Sequence, residues 1–208
     1  MFIPKYYKVT DVEEIKKFIR LNAFATIVSI KKGRPIATHL PLLLSKQGDD
    51  YYLTGHLAYG NPQWRTFQET DEVLVMFQGP HAYISSSWYE QENVPTWNYQ
   101  SVHIYGKAEI FEGKELEKDL SNLLEKYEKH REHPILWDTL SPQLLEQELK
   151  GIVGVKIKVQ EIQAAYKLSQ NRNKEDYSNI IHQLYEEKDS NACAIAEEMK
   201  RLERGHNS

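Results

Sequence analysis

The spacing of apolar and polar residues predicts one helix, then a long series of strands, then further helices. Near the N-terminus, Val12, Ile15 and Ile19 recur at helical spacing, and Thr10-Asp11-Val12-Glu13 matches a capping box. This pattern predicts a helix over residues 11–21. Short runs rich in β-branched and aromatic residues follow, bounded by turn signals. They predict strands over residues 24–30, 36–44, 51–57, 72–78, 102–111 and 152–159, the last continuing over 162–168 past a bend.

Amphipathic stretches predict helices between and after these strands. Leu116, Leu120 and Leu123 lie on one stripe of an otherwise charged segment, and Ser141 and Asn173 are suitable helix N-caps. The predicted helices cover residues 114–131, 142–150, 174–187 and 192–204. Taken together, the pattern predicts a mainly β (α+β) fold, a small antiparallel barrel of six or seven strands with peripheral helices.

Composition and charge narrow the classes of protein to consider. The chain has 208 residues and a net charge of −4, which gives no general attraction to the phosphates of nucleic acid. Its single cysteine, Cys193, excludes an internal disulfide and is typical of a reducing compartment. No signal peptide and no apolar run long enough to span a bilayer is present. We therefore predict a cytoplasmic protein without a membrane partner.

The connecting segment from Gly79 to Gly106 is unusually rich in aromatic and hydroxyl side chains. It contains Trp88 and Trp97 and the three consecutive serines 85–87. Loops carry function more often than cores do, and aromatic walls edged with hydrogen-bond donors suit a planar ligand. The same rings are equally suited to capping the core of a small barrel. Both interpretations remain open on this segment alone.

Candidate metal and catalytic motifs are weak. His39, His56, His81 and His103 lie near strand ends, but their spacing matches no compact metal-ligand pattern. The chain contains no nucleophile elbow and no glycine-rich phosphate loop. We therefore predict neither a metal site nor a catalytic residue.

The last two predicted helices have the arrangement of a helix-turn-helix, which would read DNA directly. Lys200, Arg201 and Arg204 lie on the second of them, interspersed with Glu197 and Glu198. A recognition helix needs a cationic face toward the groove, and these acids oppose it. The favoured interpretation is an α-hairpin that packs on the barrel or on a second subunit, and direct DNA contact remains open.

Seven stretches of the chain form a recognisable set: MFIPKYYKVTD (1–11), THLPLLL (38–44), GHLAYGNPQW (55–64), GPHAYISSSWY (79–89), VPTWNYQSVHIYG (94–106), LKGIVGVKIKV (149–159) and KLSQNR (167–172). Together they resemble the PaiB family, bacterial FMN-binding negative transcriptional regulators of protease synthesis and sporulation. The resemblance implies a six-stranded antiparallel Greek-key split barrel of the FMN-binding type, assembled as a homodimer with flavin at the interface. It also implies a barrel domain over 1–172 with inserted helices at 114–150, and a C-terminal helical extension over 173–208.

The resemblance further implies which side chains meet the flavin. One protomer would supply strand ends and a loop, its partner would supply a strand and the KLSQNR turn, and a tryptophan would stack on the ring. The residues concerned are Thr38, His39, His56, Asn61, Trp88, Trp97, Tyr99, Ser101, Lys167, Ser169, Gln170, Asn171 and Arg172. Oxidase relatives place an arginine where Thr38 stands and a lysine-containing loop where GNPQWR (60–65) stands. This departure predicts weak FMN binding, or FMN lost during purification.

The function implied by the resemblance is that of a flavin-binding negative regulator. The aromatic, hydroxyl-rich segment and the acidic balance motivate the further hypothesis that this regulator senses a flavin and contacts a protein partner, without catalytic turnover. The first alternative is an enzyme, an FMN-dependent oxidoreductase or flavin reductase, in which the cofactor carries the redox chemistry. The second is a haem-binding split barrel that uses one of the histidines. Turnover of a reduced nicotinamide cofactor distinguishes the enzyme from the regulator.

Overall fold

The computed structural model describes residues 1–206, with side chains described as far as Glu203. Residues 207 and 208, the end of the predicted C-terminal extension, lie outside the described residues. The α-helices are α1 (Val12–Leu21), α2 (Lys114–Glu128), α3 (Pro142–Leu149), α4 (Lys174–Glu186) and α5 (Ser190–His206). The strands are β1 (Lys8–Val9), β2 (Phe24–Lys31), β3 (Arg34–Pro41), β4 (Leu43–Gln47), β5 (Asp50–Ala58), β6 (Val73–Ile84), β7 (Thr96–Phe111) and β8 (Ile152–Lys167).

The helices follow the predicted pattern, with one corrected cap. Ser141 and Asn173 cap α3 and α4 as predicted, each accepting a hydrogen bond from a backbone N–H of the first turn. The capping box assigned to Thr10 is wrong. The Asp11 carboxylate instead accepts from the backbone N–H groups of Glu13 (2.8 Å) and Glu14 (3.1 Å). A charged acceptor at a helix N-terminus also interacts favourably with the helix dipole.

The predicted strand over 36–44 is two strands, β3 and β4. They separate at Leu42, whose backbone N–H donates to the carbonyl of Ala23 at 2.9 Å. The Leu42 side chain is buried, so the interruption places an apolar residue in the core. The extension past residue 162 is confirmed, because β8 continues without interruption to Lys167.

Among residues 1–206 the sheet has eight strands, in the order β3-β2-β6-β7-β8-β5-β4, with β1 paired to β8. The recorded pairs are antiparallel, and β2 matches β3 with Thr26 opposite His39. This sheet with its flanking helices confirms the predicted split-barrel fold and the C-terminal α-hairpin, α4 and α5. No helix within the described residues is both long and apolar enough to cross a membrane.

The chain forms two compact units, each drawn from separate parts of the sequence. The first unit contains Met1–Phe18, Gln78–His103 and the chain from Gln163 onward, and the second contains Ile19–Phe77 and Ile104–Ile162. The core of the first unit includes Leu168 and the α4–α5 side chains of Ile180, Leu184 and Met199. The core of the second unit is formed by sheet residues such as Ile27, Leu53 and Val155. The domain boundary after residue 172 stays a prediction.

Candidate functional site

In the second unit, Thr38 and Asn61 are joined by a short network of hydrogen bonds. The Asn61 amide Nδ2 donates to Thr38 Oγ1 at 2.8 Å, and Thr38 Oγ1 donates to Gln63 Oε1 at 2.5 Å. Asn61 Oδ1 also accepts from the Gln63 backbone N–H at 2.9 Å and so caps the short 3-10 helix Pro62–Gln68. The network holds the loop formed by residues 60–63 in a fixed position against β3.

Gln63 organises this network, and sequence analysis missed it. Its side chain is 2% exposed, and its Nε2 lies 3.1–3.2 Å from the Ile27 carbonyl, Ser29 Oγ and the Ile36 carbonyl. Buried amides of this kind must have partners, because an unpaired buried polar group costs about 1–3 kcal/mol. An uncharged glutamine after Asn-Pro carries no sequence signal that distinguishes it from a surface residue.

We expect Gln63→Leu to lower the free energy of unfolding by about 2 kcal/mol, because the leucine leaves Thr38 and two backbone carbonyls without their partner. Urea unfolding followed by circular dichroism measures the change. Gln68→Leu is the matched control, since Gln68 is exposed at the end of the same 3-10 helix. Equal stability losses in the two variants would contradict a structural role for the Gln63 amide.

His39 lies on the other face of β3 from Thr38, since successive side chains of a strand alternate. Its Nδ1 is 2.9 Å from Thr26 Oγ1, and its ring stacks on Phe24 with the ring centres 6.1 Å apart. Both rings are exposed. Thr38 and His39 therefore cannot contact one ligand from the same face of the strand.

His56 faces α2 rather than β3. Its neighbour Gly55 packs against β3, where an added Cβ would lie 2.7 Å from the Pro41 carbonyl oxygen, so His56 faces the opposite way. Its Nδ1 is buried and has no hydrogen-bond partner among the described residues. Burial lowers the pKa of His56, and the nearby Asp119 carboxylate opposes this only partly, so the ring is neutral at pH 7.

In the first unit, the KLSQNR turn brings two cationic side chains together with aromatic and hydroxyl groups. The Arg172 guanidinium lies 4.4 Å from the centre of the Tyr89 ring, with Nη2 3.4 Å from the phenol oxygen. Lys167 Nζ donates to Thr96 Oγ1. Tyr7 donates to Asn171 Oδ1 at 3.3 Å. We call this group, Lys167, Arg172, Asn171, Tyr89, Tyr7 and Thr96, the cationic cluster.

Neither cation of this cluster has an ion pair with a carboxylate in the part of the chain that the structure describes. Burial lowers the pKa of Lys167, and the positive charge of Arg172 lowers it further. Burial also raises the pKa of Tyr7, against the opposing effect of Arg172. Two like charges held together without an anion form a site at which an anion is favoured.

Ser169 and Gln170 hold the turn in shape. Ser169 is buried, has a left-handed backbone (φ 62°), and donates through Oγ to Asn98 Oδ1 at 3.1 Å. Gln170 closes the turn by accepting from the Leu168 N–H and donating to the Tyr166 carbonyl. Their hydrogen bonds are thus used within the protein, and they position Arg172.

The aromatic candidates differ in exposure. Trp88 is 9% exposed and packs in the first unit, where its carbonyl accepts from Asn179 Nδ2 at 2.6 Å. Trp97 is 54% exposed and has Tyr83 in edge contact at 5.8 Å between ring centres. Tyr99 is half-buried and Ser101 is buried. Of the two tryptophans, Trp97 is therefore the one that offers its ring to a planar ligand.

The structure thus separates the predicted site residues into groups. Thr38 and Asn61 share one network, and Lys167, Asn171 and Arg172 share the cationic cluster. Tyr89, Tyr7 and Thr96 are members of that cluster that sequence analysis did not select, although Tyr89 lies in the aromatic segment. No group of three or more histidine, cysteine or acidic side chains in the described part of the chain is placed to hold a metal ion.

Comparison with known proteins identifies the family. The model of the family described as "Putative FMN-binding domain" matches residues 1–161. The chain is 66% identical to protease synthase and sporulation protein PAI 2 of Bacillus subtilis over 200 residues, 96% of this chain and 97% of that protein. It is 26% identical to an uncharacterised Aspergillus fumigatus protein, over 87% and 89% of the two chains.

Solved structures share the fold at low identity. The flavocytochrome Anf3 from Azotobacter vinelandii has a TM-score of 0.62 at 16% identity, over 85% of this chain and 78% of that one. The FAD and heme binding protein from Mycobacterium smegmatis has a TM-score of 0.58 at 16% identity, over 83% and 79%. Since the domain model covers most of the chain and PAI 2 matches nearly all of it, the chain belongs to the PaiB family of FMN-binding-domain proteins.

Proposed function

We propose that this chain binds FMN and acts as a negative regulator of protease synthesis and sporulation. The observation that carries the proposal is the cationic cluster, in which Arg172 lies over the Tyr89 ring and Lys167 donates to Thr96, neither with a carboxylate partner among the described residues. A phosphate group, or the negative charge of a reduced flavin ring, would supply the missing anion through charge-assisted hydrogen bonds. Membership of the FMN-binding-domain family and similarity to PAI 2 support the same function.

The residues present are suited to the parts of FMN. Arg172 offers a planar fork of donors, and Lys167 offers a compact charge with a lowered pKa. Trp97 offers an exposed ring face to the planar isoalloxazine. The Thr38–Asn61 network offers short polar side chains on a loop that Gln63 holds fixed. When bound, FMN supplies redox chemistry, and the protein's residues hold and orient it.

The proposed assembly is a homodimer in the cytoplasm. Trp97 and Val94 are exposed large apolar residues, and Tyr83 is in edge contact with Trp97. Clustered exposed aromatic side chains are typical of surfaces covered by a partner. We propose that the cationic cluster of one protomer completes the flavin site of the other, as the family resemblance implies. The barrel domain over 1–172 and the helical extension from 173 are part of the same proposal.

The proposed mode of regulation is contact with a protein partner that depends on flavin occupancy. On α5, Arg201 is engaged by Glu14 (2.5 Å) and Glu198 (2.8 Å) within the first unit, and Lys200 lies over the Tyr185 ring. Among the described side chains of α5, Lys200 and Arg201 are thus already engaged, whereas a DNA-reading helix presents its cations to the groove. The oxidoreductase and haem-binding alternatives are not favoured over the regulator.

The proposal is tested by incubating the purified protein with FMN, removing free flavin by desalting, and recording the visible spectrum. We expect a flavin spectrum from the protein fraction and no steady oxidation of NADH or NADPH by the loaded protein. Absence of flavin after desalting, together with no change in FMN fluorescence when FMN is titrated with the protein, would contradict the proposed cofactor. Sustained turnover at ordinary enzyme rates of about 1–1,000 per second would favour the oxidoreductase.

The combined substitution Trp97→Ala with Tyr99→Ala should weaken both dimerisation and FMN binding about tenfold, since exposed aromatic residues dominate many interfaces. Analytical ultracentrifugation and FMN titration measure the two effects. Tyr127→Ala, on α2 in the second unit, is the control for loss of a partly exposed aromatic ring. If the double variant dimerises and binds as the wild type does, the rings of Gly79–Gly106 only cap the barrel core.

A further inference from the structure

The second unit contains a cavity that the proposed flavin residues, apart from His56, do not line. Its volume is about 270 Å³. It lies where α2 and α3 face β5, and its wall is mostly leucine side chains, among them Leu123, Leu124 and Leu145, with Trp137 beside them. The polar members of the lining are His56 and Glu148. A largely apolar concave site with few polar groups is the usual form of a small-molecule pocket.

The α3 side of this cavity is loosely packed. No residue of α3 is buried, and Leu144 is 43% exposed. Leu149 and Ile152 also line a neighbouring cavity of about 370 Å³. Apolar side chains that face open space lack dispersion contacts on that side and remain partly hydrated. A ligand that filled the cavity would therefore gain contact with a ready-made apolar wall.

His56 supplies this wall with one hydrogen-bonding group. Its ring is neutral at pH 7, and no described residue bonds to its Nδ1. A half-turn about Cβ–Cγ exchanges Nδ1 with Cδ2 in nearly the same volume, so either edge of this cavity-lining ring can carry the nitrogen. A neutral imidazole nitrogen accepts a hydrogen bond from a hydroxyl group.

The charges around the cavity limit the ligand class. Glu148 is part of the lining, and the Asp119 carboxylate is close enough to His56 to influence its pKa. Thr54 on β5 donates to Asp119 Oδ1 at 2.5 Å and so fixes this α2 carboxylate against the strand. Two carboxylates disfavour an anionic ligand, and the leucine wall disfavours a strongly hydrated cation. An uncharged molecule with an apolar body meets both conditions.

We propose that this cavity binds an uncharged phenol or aromatic alcohol of about ten non-hydrogen atoms, whose hydroxyl donates to His56. The size follows from the volume, which equals that of about nine water molecules at ~30 Å³ each and lies just below the range of ~300–1,000 Å³ for larger ligands. The body of the ligand packs among Leu123, Leu124 and Leu145. The proposal does not depend on FMN binding.

The test uses 4-ethylphenol as the probe and the full-length protein. Calorimetric titration measures affinity, and methyl NMR of labelled leucines locates the site. We expect 4-ethylphenol to bind with shifts confined to the leucines that line the cavity, and ethylbenzene, which lacks the hydroxyl, to bind about five- to tenfold more weakly. The anion 4-ethylbenzoate should bind at least tenfold more weakly than 4-ethylphenol.

Three variants separate the contribution of the His56 hydrogen bond to ligand affinity from that of apolar packing in the cavity. His56→Phe should reduce the affinity for 4-ethylphenol to that for ethylbenzene. Leu124→Phe and Leu145→Phe each fill the cavity from a different helix and should reduce binding of both probes at least tenfold. Leu21→Phe, at a position 73% exposed on α1, is the matched control and should leave binding unchanged. Thermal unfolding of each variant verifies that it is folded.

Several results would overturn the proposal. The first is that 4-ethylphenol does not bind. The second is that Leu124→Phe and Leu145→Phe are both folded and both bind it as the wild type does. The third is that His56→Phe still prefers 4-ethylphenol over ethylbenzene as strongly as the wild type does. A haem absorption band that His56→Phe abolishes, with haem displacing 4-ethylphenol, would assign the cavity to a different occupant.

Discussion

The combined substitution Lys167→Met with Arg172→Gln is expected to reduce FMN affinity about 100-fold, a loss of about 3 kcal/mol. Both cations lie in the cationic cluster without a carboxylate partner among the described residues, so their full charge is available to an anion. The neutral replacements keep most of the side-chain length and therefore most of the packing on Tyr89 and Thr96. Fluorescence titration of FMN measures the loss.

Riboflavin identifies the group that the two cations bind. Riboflavin lacks the phosphate, so its affinity for wild-type protein should already be lower and should change little in the double variant. The control is Lys129→Met with Arg131→Gln, which removes the same charge from exposed ion pairs at the end of α2. Unchanged FMN affinity in the double variant, or a loss equal to that of the control, would contradict the proposed anion site.

The elements of the fold were predictable where sequence periodicity reflects burial on one face. The stripe that contains Leu116 and Leu120 predicts α2, and the N-caps Ser141 and Asn173 give the starts of α3 and α4. The division of residues 36–44 was not predictable, because it depends on a hydrogen bond from Leu42 to Ala23, a residue that lies between α1 and β2. Local pattern does not contain such a non-local partner.

The sequence identified the segments that form the candidate site, but it did not show which of their side chains contact one another. The family resemblance placed both Lys167 and Arg172 among the residues expected to bind flavin, and the structure brings them together in the cationic cluster. It also placed His56 beside Thr38, but strand alternation and the close approach of Gly55 to β3 direct His56 toward α2. Nothing in the sequence marked Gln63 as a structural residue, because only its burial distinguishes it from an ordinary surface glutamine.

The substitution Gly106→Ala is expected to lower the free energy of unfolding by about 3 kcal/mol. Gly106 lies in β7 at a close approach to β8, where an added Cβ would be 2.2 Å from the carbonyl oxygen of Lys158 and 2.9 Å from Ile157 Cγ2. The nearest of these atoms belongs to backbone, so relief requires the two strands to move apart. Urea unfolding monitored by circular dichroism measures the loss.

Gly60→Ala is the matched control, because an added Cβ at Gly60 meets nothing within 4 Å. Its stability should lie within about 0.5 kcal/mol of the wild type, as for ordinary surface substitutions. The comparison separates steric conflict from the general effect of replacing glycine, which alters the entropy of the unfolded chain in both variants. If Gly106→Ala were as stable as Gly60→Ala, β7 and β8 would have to be farther apart at this point than the structure places them.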